Sequence, residues 1–325
     1  MYSWDVDTSD WRGAKGYAYA PAAAKRMEGD VARAREAGPR TYTGASGPNE
    51  KVIDPSKVVR SSSTNPIIVA VDVTGSMARW PAEIFDRLPL LYTTLQAYRE
   101  DAEILFAAIG DGAVDRWPLQ VTTFASGFDL EQQLASIYGE GGGGDAPESY
   151  GLFAHWVNTH VQVPKADKPF LIVFGDITMH ETVPPDQVRR LLGDGAQGPI
   201  DAIAAWQQVA SRWNTWFLRR PGGKQGDAVD QQWSKAIGAD HVFPIDDEQR
   251  AVDYAMGIIA QAWGHMGDFQ DNMLARQSSD KVRAVSTRLQ TVGPRRLDCP
   301  ACGAPLPAEA RGRISCRFCG TTVAL

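Results

Sequence analysis

Pro66-Ile67-Ile68-Val69-Ala70-Val71-Asp72-Val73-Thr74-Gly75-Ser76-Met77 is the stretch on which the fold turns. Its first eight residues are apolar except for Asp72 and are rich in β-branched side chains. A run of this kind, with no polar alternation, predicts a strand buried on both faces. It ends in a carboxylate and two hydroxyls at alternate positions, Asp72, Thr74 and Ser76, just ahead of a helical pattern over 80–99. There Ile84, Leu88, Leu91, Leu95 and Tyr98 recur at helical spacing, and Pro89 is expected to kink the helix.

Working outward, the same alternation continues. Apolar runs at 102–110, 168–176, 214–220 and 241–245 predict further buried strands, and 117–124 predicts an antiparallel edge strand reached through the Asp111-Gly112 turn. Helical patterns lie between them at 128–138, 147–160, 185–192, 200–212 and 227–237, and a last one carries Val252, Met256, Ile259 and Trp263 on one stripe. Strands alternating with helices predict an α/β fold: a doubly wound, mainly parallel sheet with helices on both faces. Ligands of such sheets bind outside the carboxyl ends of the strands. The chain divides into an N-terminal arm with a short helix (1–65), the α/β domain (66–265), a helical linker (266–296) and a small C-terminal unit (297–325).

Thirty-three Lys and Arg against 39 Asp and Glu give a net charge of -6, which argues against a protein that coats nucleic acid or an anionic membrane through its overall field. The first residues lack the charged and apolar regions of a secretory signal, and no apolar run is long enough to span a bilayer. A cytoplasmic protein without a membrane partner is the expectation. All four cysteines fall within 299–319, which suits metal-binding thiols in a reducing compartment.

Two later loops leave predicted elements at the same sheet edge as Asp72: Gly141 to Glu148, containing Asp145, and Phe174 to Thr178, containing Asp176. A hard cation such as Mg²⁺ takes oxygen ligands in octahedral geometry and keeps some waters, so such a set of oxygens suits it. The segment Asp72-Val73-Thr74-Gly75-Ser76 resembles the Asp-x-Ser/Thr-x-Ser motif of the von Willebrand factor A family, its metal-ion-dependent adhesion site, and the resemblance spans roughly 66–262. It implies Asp72, Thr74 and Ser76 as first-loop ligands, Asp145 at the place of the second-loop Thr or Asp, and Asp176 as the acidic residue after the fourth strand. Two departures stand out: Gly175-Asp176-Ile177 replaces the frequent Thr-Asp-Gly, and Asp145 brings a third carboxylate. Three carboxylates would over-neutralise the ion and weaken its pull on an acidic partner, unless Asp145 binds through water. The plain alternatives are helix caps at Thr74, Ser76 and Asp145 and a surface histidine at His180. A site at the open edge of a sheet also predicts that Asp72→Ala leaves the fold unchanged.

Cys299-Pro-Ala-Cys302 and Cys316-Arg-Phe-Cys319 are separated by thirteen residues, and each pair is followed by Gly. Two such pairs supply four thiolates for a closed tetrahedral Zn²⁺ site. A unit of this size buries too little apolar surface to fold unaided, so the metal is expected to supply its stability. The segment resembles the short zinc ribbons of many bacterial and archaeal proteins. Arg295, Arg296, Arg311, Arg313 and Arg317 outnumber Asp298 and Glu309, which permits a nucleic-acid contact without requiring one.

The resulting expectation is a metal-dependent protein-binding module, an adaptor or scaffold and not an enzyme, capturing an acidic side chain of a protein partner. The family resemblance also implies AAA+ ATPases as a class of partner. A nucleic-acid-associated subunit is the alternative, since the order of domains also resembles small subunits of the eukaryotic general transcription and repair factor. A Mg²⁺-dependent phosphohydrolase is a weaker one. Thr74 stands where a haloacid-dehalogenase-like phosphatase needs its second Asp, and no Gly-x-x-x-x-Gly-Lys-Ser/Thr segment is present.

Overall fold

The computed structural model of the protein describes residues 47–77, 87, 91–92, 94–127, 129–139, 147–166, 169–220, 226–247, 250–275, 277–292, 297–299, 301, 304–306 and 313–324. The run that opens the domain is strand β1, Pro66–Asp72, buried at every position. It is flanked by β2 (Glu103–Ile109) and, after the edge strand β3 (Leu119–Val121), by β4 (Phe170–Gly175). With β5 (Asn214–Arg219) and β6 (Val242–Pro244) they form one six-stranded sheet in the order β6-β5-β4-β1-β2-β3. All neighbours run parallel except β2 and β3, which pair antiparallel with Ala107 opposite Val121. The fold is mixed α/β around a mainly parallel sheet.

Alternation along each strand feeds two separate cores. Ile67, Val69 and Val71 of β1 face one cluster, and Ile68 and Ala70 face the other. The second cluster holds helices α2 (Tyr150–His160), α3 (Pro185–Leu192), α4 (Ala202–Arg212) and α5 (Gly226–Ile237), which follow the short helix α1 (Asp129–Ala135) in the chain. Trp156, Trp206 and Trp233 are fully enclosed there. Trp233 stacks on Phe217 of β5 with centroids 4.0 Å apart. Local signals set the helix limits: the Asp201 side chain accepts from Ala204 N–H at 2.8 Å to open α4.

The first cluster takes Leu91, Leu95 and Tyr98, Leu130 and Leu134 of α1, and most of α6 (Ala251–Trp263). It also takes Phe269 and Met273 from α7 (Met266–Leu274), with Val282, Val285 and Leu289 from α8 (Ser279–Val292). The span expected to be a helical linker, 266–296, thus contributes two helices to the main core. Its apolar residues are sparse along the chain but line up once the helices form.

The expected short helix at 21–38 and the Pro89 kink lie outside the described residues. The later part of the arm, 47–65, is bound to the domain: Val59–Arg60 pairs parallel with Val161–Gln162, Ile53 enters the first core, and the Trp156 indole donates to Pro55 O at 2.9 Å. Among the described residues no helix is long and apolar enough to cross a membrane.

Candidate functional site

β1 lies between β2 and β4, so its carboxyl end meets the turn after β2 and the loop after β4. The approach to α2 joins them by backbone hydrogen bonds. Glu148 N–H donates to Thr178 O at 3.0 Å, His180 N–H to Glu148 O at 3.2 Å, and Ser149 N–H to Gly110 O at 3.1 Å. Four chain segments, distant in sequence, are thereby fixed around Asp72.

Asp72 is 0% exposed. Its Oδ1 accepts from Thr74 N–H at 2.8 Å and from the Thr74 hydroxyl at 2.6 Å, and its Oδ2 accepts from the Tyr150 hydroxyl at 2.6 Å. The expectation of a carboxylate at an open edge is corrected here: Asp72 is enclosed at the end of β1. Burial pushes the Asp72 carboxyl up to about 7, against the downward pull of its Thr74 and Tyr150 donors. Gly75 turns the chain with φ at 21°, and Ser76 lies in the 3-10 turn Gly75–Met77 that follows.

Glu148 was not a candidate from the sequence. It is 2% exposed, and among the described residues its Oε2 has no hydrogen-bond partner. Burial first and the neighbouring Asp72 charge second push its carboxyl up to about 8, against the downward pull of the Thr74 side chain. A buried carboxylate oxygen with nothing to accept from is costly unless a proton or a cation completes it. Asp176 stands at the end of β4 with the Arg220 guanidinium 3.6 Å from its Oδ2, which offsets part of its charge. Asp145 lies outside the described residues. Asp111, in the turn after β2, is buried and meets His180 Nε2 at 3.2 Å, so that histidine is tied to the rim of the site.

The acidic groups of this site are not drawn into a tight cage. Among the described residues, one set of three or more His, Cys, Asp or Glu has all its ligand atoms within 4.8 Å of one another, and it is Cys299, Cys316 and Cys319. Two small hairpins present them, Leu297–Asp298 with Pro305–Leu306 and Arg313–Ser315 with Thr322–Ala324. Cys299 Sγ and Cys319 Sγ are 3.6 Å apart. Sulfurs bound tetrahedrally at about 2.3 Å from zinc sit roughly 3.8 Å apart, so the spacing fits. Backbone N–H groups of Cys319 and Phe318 hold the Cys316 thiol below its usual range, which favours the thiolate that binds metal. Gly320, with φ at 73°, lets its N–H return to Cys316 O at 2.9 Å. Cys302 lies outside the described residues. Three close cysteines thus form a site able to bind a metal such as zinc.

No family model and no curated protein matches the chain. Among solved structures it is similar to proximal thread matrix protein 1 from the mussel byssus, at 11% identity and a TM-score of 0.42 over 64% of this chain and 49% of that one. It is also similar to the pilus adhesin SpaC from Lactobacillus rhamnosus GG in its open conformation, at 10% identity and a TM-score of 0.41 over 66% of this chain and 31% of that one. The likeness is distant. The chain spans about half the length of the first protein and about a third of the second.

Proposed function

We propose that the chain is a doubly wound von Willebrand factor A-type domain that binds a protein partner through Mg²⁺ at the carboxyl end of β1, and that its tail is a zinc ribbon. The observation that carries the first part is Glu148 Oε2, buried beside Asp72 and without a partner among the described residues. Together with Thr74 and Asp176, and with Ser76 and Asp145 supplied by the sequence motif, it completes an oxygen donor set of the kind a hard cation takes. Bound there, Mg²⁺ would supply an electrophilic anchor for an acidic side chain of the partner. The residues of the chain would do the rest: Asp72 and Glu148 would hold the ion as carboxylates, and Arg220, 3.6 Å from Asp176, would limit the excess negative charge. The protein then serves as an adaptor or scaffold and not as an enzyme, and AAA+ ATPases are a partner class consistent with the family likeness. In the tail, Cys299, Cys302, Cys316 and Cys319 hold Zn²⁺.

A nucleic-acid contact is the second reading, supported by the ribbon. Phe318 is 73% exposed at the tip of its second cysteine pair, and Arg313 and Arg317 are exposed beside it in sequence.

The test of the first reading is the melting temperature with and without Mg²⁺, since a ligand of the folded state raises it by mass action. The protein is expected to respond, and Asp72→Asn, which keeps the shape of the side chain, is expected to fold without responding. A pull-down from the native host should lose its partner in EDTA and regain it with Mg²⁺. No thermal response in the unaltered protein removes the cation from the proposal.

A further inference from the structure

Asp72 has about four acceptor positions on its two oxygens. Three are filled: Thr74 takes two on Oδ1, and the Tyr150 hydroxyl takes one on Oδ2. Among the described residues a single position is left, on Oδ2. Tyr150 is no casual donor. It is the first residue of α2, is 0% exposed, and its ring is held edge-on by Trp233 and Phe217 with centroids 5.1 and 6.3 Å away. The opposite wall is shaped for it as well, because a Cβ on Gly175 would collide with the Tyr150 hydroxyl. This accounts for Gly175 at the place where the family motif often has Thr: the side-chain volume there is occupied by the phenol.

We infer that Tyr150 is a positioning residue that, by clamping Asp72 in one orientation with one coordination position open, makes the strand-end site select a small octahedral cation over a larger one. The inference rests on the proposed Mg²⁺ site. Its physical basis is that Mg²⁺ demands near-ideal geometry whereas Ca²⁺ accepts six to eight oxygens in looser arrangements. Groups that hold a ligand in place without touching the metal commonly change affinity by roughly 10–100-fold when removed. Freeing one oxygen of Asp72 therefore costs Mg²⁺ more than Ca²⁺. The hydroxyl acts through Asp72 and does not itself meet the ion.

The experiment is direct titration of the full chain with Mg²⁺ and with Ca²⁺ by calorimetry, in the unaltered protein, Tyr150→Phe, Asp72→Asn and the double variant. Tyr150→Phe is expected to weaken Mg²⁺ about tenfold or more and to leave Ca²⁺ much less affected, so that the ratio of the two dissociation constants shifts. Asp72→Asn and the double variant, which lack the carboxylate that Tyr150 positions, are expected to give no Mg²⁺ binding signal at all. A purely structural role would lower both affinities by a common factor, and that result, or an unchanged ratio, overturns the inference while leaving the cation site standing. An unaltered protein that binds neither ion removes the site and the inference together. Should Tyr150→Phe fold poorly, Gly175→Ala displaces the same hydroxyl from the other side and is held to the same ratio.

Discussion

The α/β domain and the C-terminal unit solve the problem of stability in opposite ways. The sheet is enclosed by two clusters of apolar side chains, with Trp156, Trp206, Trp216 and Trp233 among the largest buried groups. The tail has Cys299, Leu306, Cys316 and Val323, with Ala304 and Ile314 packed against them. Two of its four central residues are cysteines of the close thiol set, so the atoms that would bind metal lie in the core. A domain with a hydrophobic interior can spare its polar site for function. A unit whose interior is the site cannot.

The largest expected effect breaks the pair apart. Chelation of zinc, or Cys316→Ser, is expected to abolish folding of the tail, read as complete amide exchange over 297–324, because metal binding and folding are there one free energy. Eight of the ten Trp lie within 66–265, the other two are Trp4 and Trp11 of the arm, and none lies in the tail, so Trp fluorescence is blind to the tail and is expected to stay unchanged. A shift in that signal on chelation would mean that the two parts are not independent.

Next in size is the converse, a cavity in the main core. Trp233→Ala removes the ring that stacks on Phe217 and meets Tyr150 and Trp206, and a buried Trp lost in this way costs about 3–5 kcal/mol. The main unfolding transition is expected to fall by roughly 6–20 °C, while zinc content by elemental analysis remains that of the unaltered protein. Loss of zinc with the Trp would tie the ribbon to the sheet.

The smallest effect sharpens the contrast within the α/β domain, between its core and its strand-end site. Asp72 and Glu148 are raised to about 7 and about 8 in the folded protein, above ordinary values of about 4 in the unfolded chain. The folded state then holds protons that the unfolded state has released, so the stability these two contribute is present at low pH and lost as pH rises through 7 and 8. The metal-free protein is expected to melt at a lower temperature at pH 8.5 than at pH 6.5. Mg²⁺ is expected to recover more at the higher pH, where it competes with fewer protons. Scanning calorimetry at the two pH values, with EDTA and with Mg²⁺, checks this; a melting point that rises with pH in EDTA would contradict the protonation assigned to Asp72 and Glu148.

Much of the sheet was legible because buried parallel strands must be apolar along their whole length: 66–73, 102–110, 168–176 and 214–220 all contain observed strands. The edge strand was legible for a different reason, a connection of nine residues, 110–118, too short for a parallel crossover, which forces an antiparallel return at Leu119–Val121. The site was legible only in part. Asp72, Thr74 and Asp176 stand at the ends of apolar runs, where pattern draws the eye, and the cysteine pairs announce themselves by spacing. Glu148 and Tyr150 do not. One reads as an acidic residue near a helix start and the other as one aromatic on an apolar helix, and no local signal marks a bond from Tyr150 to Asp72, 78 positions away in sequence. Arg220 was equally silent, since its role depends on β5 lying beside β4. The core packing of the stretch 266–296 was not legible because its five core side chains sit among many polar ones, and composition averages them out.

The segment before β1 has one more consequence. β3 is the outermost strand of the sheet, and an open edge of this kind can recruit another copy of the chain. Val121 N–H is instead taken by Ile53 O at 3.3 Å, Asn49 N–H reaches Ser136 O at 3.0 Å, and the Trp117 indole donates to Glu50 at 3.0 Å. Residues 47–55 therefore act as a guard rail along the sheet. Trimming the chain at the start of the strand pattern, just before Pro66, would bare that edge and at the same time strip Ile53 and Val59 from the two cores, so solubility and stability are expected to fall together.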